Sequence, residues 1–130
     1  MAAHELRRIL YVEDEPDIQA VAKIALEDVG GFTLMTCASG QEAVEQAAEF
    51  SPDLFLLDVM MPRMDGPTTL QALRAVQACA EIPAMFMTAK VQTHETEALR
   101  SLGAIDVIAK PFDPMRLAEV IRRSWQRHHQ

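Results

Sequence analysis

The chain has 130 residues, of which 49% are hydrophobic and 24% charged, a composition typical of one globular domain. Its net charge of −7 argues against nucleic acid or an anionic membrane as a partner. The two cysteines, Cys37 and Cys79, are far apart in sequence, which argues against a disulfide framework or a zinc site. No apolar run follows a basic start, and none approaches the roughly 18 residues of a membrane span. We therefore expect a cytoplasmic protein with reduced thiols.

Five short apolar runs predict β-strands. In chain order they are residues 9–12, 32–37, 54–57, 84–87 and 107–109. Four are almost continuously apolar, as expected for strands of a parallel sheet that is covered on both faces. The run at 32–37 contains Thr33 and Thr36 and is typical of an edge strand with one wetter face.

Between the runs, apolar residues recur at helical spacing and predict five helices. The first begins near Pro16 and ends at Gly30-Gly31, and the second begins after Ser39, which forms a capping box with Glu42. The fourth ends at Gly103 and the fifth opens at Asp113-Pro114. The positions predicted to face the core are, helix by helix, Ile18, Val21, Ala22, Ala25 and Val29; Val44, Ala47 and Ala48; Leu70, Leu73 and Val76; Ala98, Leu99 and Leu102; and Leu117, Val120, Ile121 and Ser124.

The order of elements is therefore a strand followed by a helix, five times over. This alternation predicts an α/β fold with a parallel sheet, right-handed crossovers and helices on both faces. One domain over residues 1–130 is expected.

Polar residues stand where four of the predicted strands end. Glu13-Asp14 follow the first strand, Asp58 the third, Thr88 the fourth and Lys110 the fifth. Ligands of doubly wound sheets bind outside the carboxyl ends of the strands, so we expect these side chains to meet at one rim. Each residue alone has an ordinary explanation, such as an acid at a helix N-terminus, but their shared placement favours a site.

Three carboxylates in one crevice repel one another, and one lysine cannot neutralise them all. Mg²⁺ can, because it prefers oxygen ligands and usually takes one or two carboxylates, waters and a phosphate. Asp14 and Asp58 are the natural direct ligands, and Glu13 would bind directly or through water. An aspartate such as Asp58 can act as a nucleophile and form an acyl phosphate. Lys110 and the Thr88 hydroxyl would then serve two of the phosphoryl oxygens, with the metal on the third.

These residues and their order resemble the receiver domains of bacterial two-component response regulators, over nearly the whole chain. The resemblance is carried by Glu13-Asp14, by Leu56-Leu57-Asp58-Val59-Met60-Met61-Pro62-x-Met64-Asp65-Gly66, by Thr88-Ala89 and by Lys110-Pro111-Phe112. It implies a flavodoxin-like five-stranded sheet of order 2-1-3-4-5. It also implies phosphotransfer to an aspartate from a histidine kinase or a histidine phosphotransfer protein.

By this resemblance Asp58 is the phosphoacceptor. Asp14, Asp58 and the Met60 backbone carbonyl are the implied ligands of Mg²⁺, with Mn²⁺ as an alternative ion, and Glu13 acts through water. Thr88 is the implied switch hydroxyl, which moves toward the phosphate.

The resemblance also assigns roles around the phosphate. Lys110 is the implied ion-pair partner of the phosphoryl group, and a cis peptide bond to Pro111 is implied to fix its position. Met60 and Lys90 occupy positions that tune the phosphoryl lifetime, and the small Ala89 leaves the group room.

One position departs from the pattern. Val107 stands where receivers commonly carry Tyr or Phe, three residues before the lysine. The signal is therefore expected to pass through the loop after the fourth strand, or through the fourth helix, rather than through an aromatic flip.

The predicted output surface is the face of the fourth helix, the fifth strand and the fifth helix, where a downstream protein or a second copy in a homodimer would bind. No output domain is expected to follow the last helix, and Met1-Ala2-Ala3 favours an intact N-terminus, although one domain of a longer protein is the alternative.

Three other functions deserve comparison. A phosphatase of the haloacid dehalogenase type would carry a second acid at Met60. A flavodoxin would carry a phosphate-binding loop where Glu13-Asp14-Glu15 stand. A pseudo-receiver would lack part of the site. We therefore predict a signalling domain that is not a turnover enzyme.

Overall fold

Five parallel strands form one sheet in the order β2-β1-β3-β4-β5. The computed structural model describes residues 5–130, so the expectation about Met1-Ala2-Ala3 lies outside the described residues. The strands are β1 (Arg8–Val12), β2 (Thr33–Cys37), β3 (Leu54–Asp58), β4 (Ala84–Thr88) and β5 (Asp106–Ala109). The predicted fold class and strand order are confirmed.

Helices connect the strands and cover both faces of the sheet. They are α1 (Pro16–Lys23), which continues as a π-helical segment (Ile24–Val29), α2 (Gly40–Phe50), α3 (Gly66–Arg74), α4 (Thr93–Ser101) and α5 (Leu117–His128). A short 3₁₀ turn, Gln77–Cys79, follows α3. Within residues 5–130, no helix is both long and apolar enough to cross a bilayer.

The two faces of the sheet carry separate hydrophobic clusters, because alternate residues of a strand point to opposite faces. In β1, Ile9 and Tyr11 join the cluster beneath α1 and α5. Leu10 and Val12 join the cluster beneath α2, α3 and α4. β3 is buried at all five positions, as a central strand covered on both faces must be.

Several residues predicted to face the core are exposed. Val21, in the α-helical part, lies on the flank of the buried face next to Ala22 and is 42% exposed. Val29 is 44% exposed, because the chain widens into π-helix after Lys23 and changes which later side chains face the sheet. Leu26, which was not among the predicted positions, is fully buried. Ala48 and Ala98 also face solvent, and Ala43 takes the buried position in α2 instead.

The ends of α3 and α4 account for two further differences. α3 stops at Arg74, so Val76 lies beyond it and is only half-buried. α4 stops at Ser101, and Leu102, as its C-terminal cap, is 53% exposed.

The buried stripe of α5 is centred on Ile121. Ser124 is buried as predicted, but Val120 lies on the flank of the stripe and is 39% exposed. α5 begins at Leu117, because residues 113–116 form a turn in which the Asp113 carboxylate accepts the Met115 N–H at 2.9 Å.

The predicted cap of α2 is confirmed in part. The Ser39 hydroxyl accepts the Glu42 N–H at 3.1 Å, but the Glu42 carboxylate accepts from Ala38, at 3.5 Å, rather than from Ser39.

The start of α3 lies directly against the end of β3. The Gly66 N–H donates to the Val59 carbonyl at 2.9 Å. A Cβ at this position would lie 2.5 Å from the carbonyl oxygen of Asp58, so only glycine fits without moving the strand end. The Asp65 side chain caps α3 by accepting the Thr68 N–H at 2.8 Å.

Candidate functional site

The carboxyl ends of four strands bring the predicted polar residues to one rim. Glu13 and Asp14 directly follow β1, and Asp58 is the last residue of β3. One carboxylate oxygen from each of these three acids lies within 4.8 Å of the others. The rim therefore holds the acidic cluster that the sequence predicts.

Lys110 joins this cluster from the end of β5. Its Nζ lies 2.9 Å from Glu13 Oε1 and 3.0 Å from Asp58 Oδ1. Its backbone N–H donates to the Thr88 carbonyl at 2.9 Å, which extends the β4–β5 ladder by one residue. The Lys110–Pro111 peptide bond is cis, as the resemblance implies. A single ammonium group thus bridges two of the three acids.

The acids are largely removed from water. Glu13 is fully buried, Asp58 is 3% exposed and Asp14 is half-buried at the mouth of the site. Burial, reinforced by the charge of Glu13, raises the pKa of Asp58 to about 6, although Lys110 acts in the opposite direction. Burial would lower the pKa of Lys110, but its contacts with Glu13 and Asp58 outweigh burial and raise it.

Several contacts hold Glu13. Its carboxylate Oε2 accepts the Glu15 N–H at 3.3 Å, and its backbone carbonyl accepts the side-chain amide of Gln19. The phenol of Tyr11 lies 3.5 Å from Oε1. Neither Gln19 nor Tyr11 was predicted from the sequence. Tyr11 could have been found, because a polar side chain two residues before Glu13 on a strand lies on the same side of the sheet.

The donor set fits a hard divalent cation. All three clustered ligands are carboxylates, and Asp14 keeps the cluster accessible from solvent. Mg²⁺ binds such oxygen ligands and retains several waters, so a half-open site of this kind suits it. Met60 lies two residues beyond Asp58 with a side chain that is 64% exposed, and the role of its carbonyl stays a prediction.

Thr88 ends β4 beside the cluster. The neighbouring residue, Met87, is the register partner of Asp58 in β3. The Thr88 side chain is buried, and its Oγ1 accepts the N–H of Lys90 at 3.1 Å. The hydroxyl is therefore tied to the first residues of the loop that follows β4.

The remaining predicted positions surround this core of the site. Three of them, Ala89, Lys90 and Pro111, lie at the rim and are exposed. Val107 is half-buried and packs against the hydrophobic cluster beneath α2, α3 and α4. Their tuning and switching roles stay predictions.

Comparison with known families matches residues 9–122 to the response regulator receiver domain. The chain belongs to this family, and it is accordingly a receiver domain of two-component signal transduction. Proteins of this family bind Mg²⁺ at an acidic pocket and work with histidine kinases.

Individual relatives of the chain are also response regulators. The chain is 35% identical over 118 residues to a probable C4-dicarboxylate response regulator, DctR, of Halalkalibacterium halodurans. It is also 35% identical over 122 residues to the alkaline phosphatase synthesis regulator PhoP of Bacillus subtilis. These matches cover 90% and 91% of this chain and 50% of each relative, so the chain spans about half the length of these curated relatives.

Solved structures show the same fold. The chemotaxis response regulator CheY4 of Vibrio cholerae superposes with a TM-score of 0.83 at 27% identity, covering 92% of this chain and 99% of that one. The N-terminal domain of a response regulator receiver protein from Methanoculleus marisnigri superposes with a TM-score of 0.74 at 38% identity, covering 92% and 96%.

Burial of the Asp58 carboxylate leads to a prediction about stability. In metal-free buffer at pH 7, Asp58→Asn should raise the free energy of unfolding by about 1–3 kcal/mol, because it removes a carboxylate that is costly to ionise when folded. Since the folded-state pKa of Asp58 lies above its unfolded value, wild-type stability should fall as pH rises from about 4 to about 6 and then level off.

Urea unfolding followed by circular dichroism across this pH range measures the effect. The exposed acid Asp28 provides the matched control, and Asp28→Asn should change stability by less than about 0.5 kcal/mol. A loss of stability in Asp58→Asn at pH 7 would contradict the conclusion that burial and the charge of Glu13 disfavour the ionised form of Asp58.

Proposed function

We propose that Asp58 is the residue that accepts the phosphoryl group in this receiver domain. The observation that carries the proposal is the placement of its carboxylate, buried at the end of β3, 3.0 Å from the Lys110 ammonium and within one acidic cluster with Glu13 and Asp14. A nucleophile, a cation and a metal-binding donor set thereby meet at one point, which is what phosphoryl transfer requires.

In the proposed step, a carboxylate oxygen of Asp58 attacks the phosphorus of a phosphohistidine on a kinase or histidine phosphotransfer protein. An O–P bond forms, the P–N bond breaks, and its electron pair leaves on the imidazole nitrogen, which then takes a proton from solvent. Because Asp58 reacts as the carboxylate, no general base is needed.

The metal in this proposal is Mg²⁺, with Mn²⁺ as a substitute. Asp14, Asp58 and the Met60 carbonyl would hold it, with Glu13 acting through water. When bound, it supplies positive charge next to the phosphoryl oxygens.

The proposed tasks of the other side chains follow from their places. Lys110 exchanges its contacts with Glu13 and Asp58 for one with a phosphoryl oxygen. Thr88 turns its hydroxyl from Lys90 toward another oxygen, and Ala89 leaves space at the rim. Because Thr88 Oγ1 now accepts the Lys90 N–H, this turn would release the start of the loop that leads to α4.

The proposed output surface consists of α4, β5 and α5, which follow that loop in the chain. A downstream protein or a second copy in a homodimer would bind there, in the cytoplasm. Val107 at this surface is half-buried and lacks an aromatic ring, which supports a path through the loop.

The proposed role is signalling without turnover of a substrate. Met60 stands where a phosphatase of the haloacid dehalogenase type carries its second acid, so the site has no side chain there to catalyse release. The chain would be phosphorylated stoichiometrically.

Labelling tests the phosphoacceptor directly. With acetyl phosphate and Mg²⁺, the intact mass of the wild-type protein should rise by one phosphoryl group, and a chelator should prevent this. Asp58→Asn should gain nothing, because an amide is not a nucleophile here, whereas the matched variant Asp28→Asn should react like wild type. Equal labelling of Asp58→Asn would contradict the proposal, and release of many equivalents of phosphate would indicate a phosphatase.

A second experiment tests the path through Thr88. In a ¹H–¹⁵N spectrum, beryllium fluoride with Mg²⁺, a phosphoryl mimic, should shift the amides of residues 89–92 in wild type. In Thr88→Ala the mimic should still bind, but these shifts should shrink several-fold, because no hydroxyl links the loop to the phosphoryl position. Thr93→Ala, which removes an exposed hydroxyl from the start of α4, is the control. Undiminished shifts in Thr88→Ala would exclude this path.

A further inference from the structure

A buried tyrosine lies beneath the acidic cluster. Tyr11, in β1, is fully buried, and it is the only tyrosine of the chain. Its ring packs in the cluster beneath α1 and α5, while its hydroxyl lies 3.5 Å from Glu13 Oε1. Burying a phenol has a cost that is reduced when its hydroxyl finds a partner, and Glu13 is the partner on this side of the sheet.

The contact is longer than an ordinary O–H···O hydrogen bond, which spans about 2.5–3.0 Å. The reason is visible at Glu13 Oε1, because the same oxygen accepts from Lys110 Nζ at 2.9 Å. The ammonium is the stronger donor and takes the closer position. In this metal-free state the phenol is therefore the second and weaker donor to Glu13 Oε1.

The balance changes if Lys110 turns to a phosphoryl group. Glu13, which is fully buried, would then keep the Glu15 N–H at 3.3 Å but lose its direct contact with the ammonium, and it would face the proposed Mg²⁺ only through water. A buried carboxylate that loses a directly bonded cation is costly unless another donor takes the vacated position. The Tyr11 hydroxyl already lies 3.5 Å from the oxygen that Lys110 would leave.

We propose that Tyr11 is a positioning residue that stabilises the Glu13 carboxylate when Lys110 moves to the phosphoryl group. The inference rests on the proposed function, since it assumes that Lys110 leaves Glu13 during the reaction. Without the phenol, Glu13 would hold Lys110 more firmly, and fewer molecules would have the lysine free to pair with the phosphoryl oxygens. In this proposal Tyr11 acts through Glu13, the site residue that its hydroxyl faces.

The first test removes only the hydroxyl. At saturating Mg²⁺, Tyr11→Phe should lower both the affinity for beryllium fluoride and the maximal rate of phosphorylation by acetyl phosphate by about 3–10-fold. This is less than the roughly 10–100-fold typical of a residue that supports a metal ligand, because the Tyr11 contact is long. The thermal midpoint of the metal-free protein should barely change. In that state the 3.5 Å between the phenol oxygen and Glu13 Oε1 is too long for a strong hydrogen bond.

Ser124→Ala is the matched control. It also removes a buried hydroxyl that donates to a carboxylate, that of Asp106, but at the opposite end of β5 from Lys110. It should leave both readouts unchanged. A loss equal to that of Tyr11→Phe would mean that any buried hydroxyl matters, and would overturn the inference.

A double-mutant cycle separates a positioning role from a general packing role. In the Glu13→Gln background, adding Tyr11→Phe should change the beryllium fluoride affinity by less than about 2-fold, because the charge that the phenol stabilises is gone. An equal loss in both backgrounds would show that Tyr11 acts through packing, and no loss in either would remove it from the site.

The single tyrosine gives a readout that needs no variant at Tyr11. With ¹³Cζ-labelled tyrosine, the one signal should shift when beryllium fluoride and Mg²⁺ are added, as the hydroxyl moves closer to Glu13. In Glu13→Gln the shift should be much smaller, and an unmoved signal in wild type that binds the mimic would contradict the inference. If wild type fails to bind the mimic at all, the proposed function fails instead.

Discussion

The ion pairs of Lys110 with Glu13 and Asp58 are the interaction on which this site depends. Two carboxylates this close would repel each other strongly away from water, and a buried charge without a partner is costly. The bridging ammonium makes the arrangement tolerable, at distances of 2.9 and 3.0 Å. One cation still leaves an excess of negative charge when Asp14 is included. That excess favours a divalent cation, which in the proposed function would also offset the negative charge of the phosphoryl group.

Lys110 also links the acidic cluster to the hydrogen bonds of the sheet and of the loop after β4. Its backbone extends the β4–β5 ladder by donating to Thr88, whose side chain in turn accepts from Lys90 in the next loop. Residues that would bind the phosphoryl group therefore share hydrogen bonds with the residues that lead into α4. Tyr11 adds a donor from below, on the face covered by α1 and α5.

Much of this could be predicted from the sequence, because parallel strands end at a common edge. Once the strands ending before Glu13, at Asp58 and before Lys110 were located, their convergence followed. The exposure of Val29 could not be predicted, since the shift into π-helix depends on packing rather than on spacing. The pairing of Lys110 with Glu13 and Asp58, rather than with Asp14, depends on side-chain conformations that the sequence pattern does not specify. The contact of Tyr11 with Glu13 was not predicted, although its position was available, because Tyr11 lies within an apolar strand and is typical of a core residue there.

The most direct test of the central claim is the location of the metal. Crystals soaked in Mn²⁺ should show one strong anomalous difference peak at the rim, within bonding distance of the Asp14 and Asp58 carboxylates, with the Lys110 ammonium still nearby. A peak that lies elsewhere, or none at the rim when the ion is in excess, would contradict the view that the clustered charge at these strand ends is a metal site.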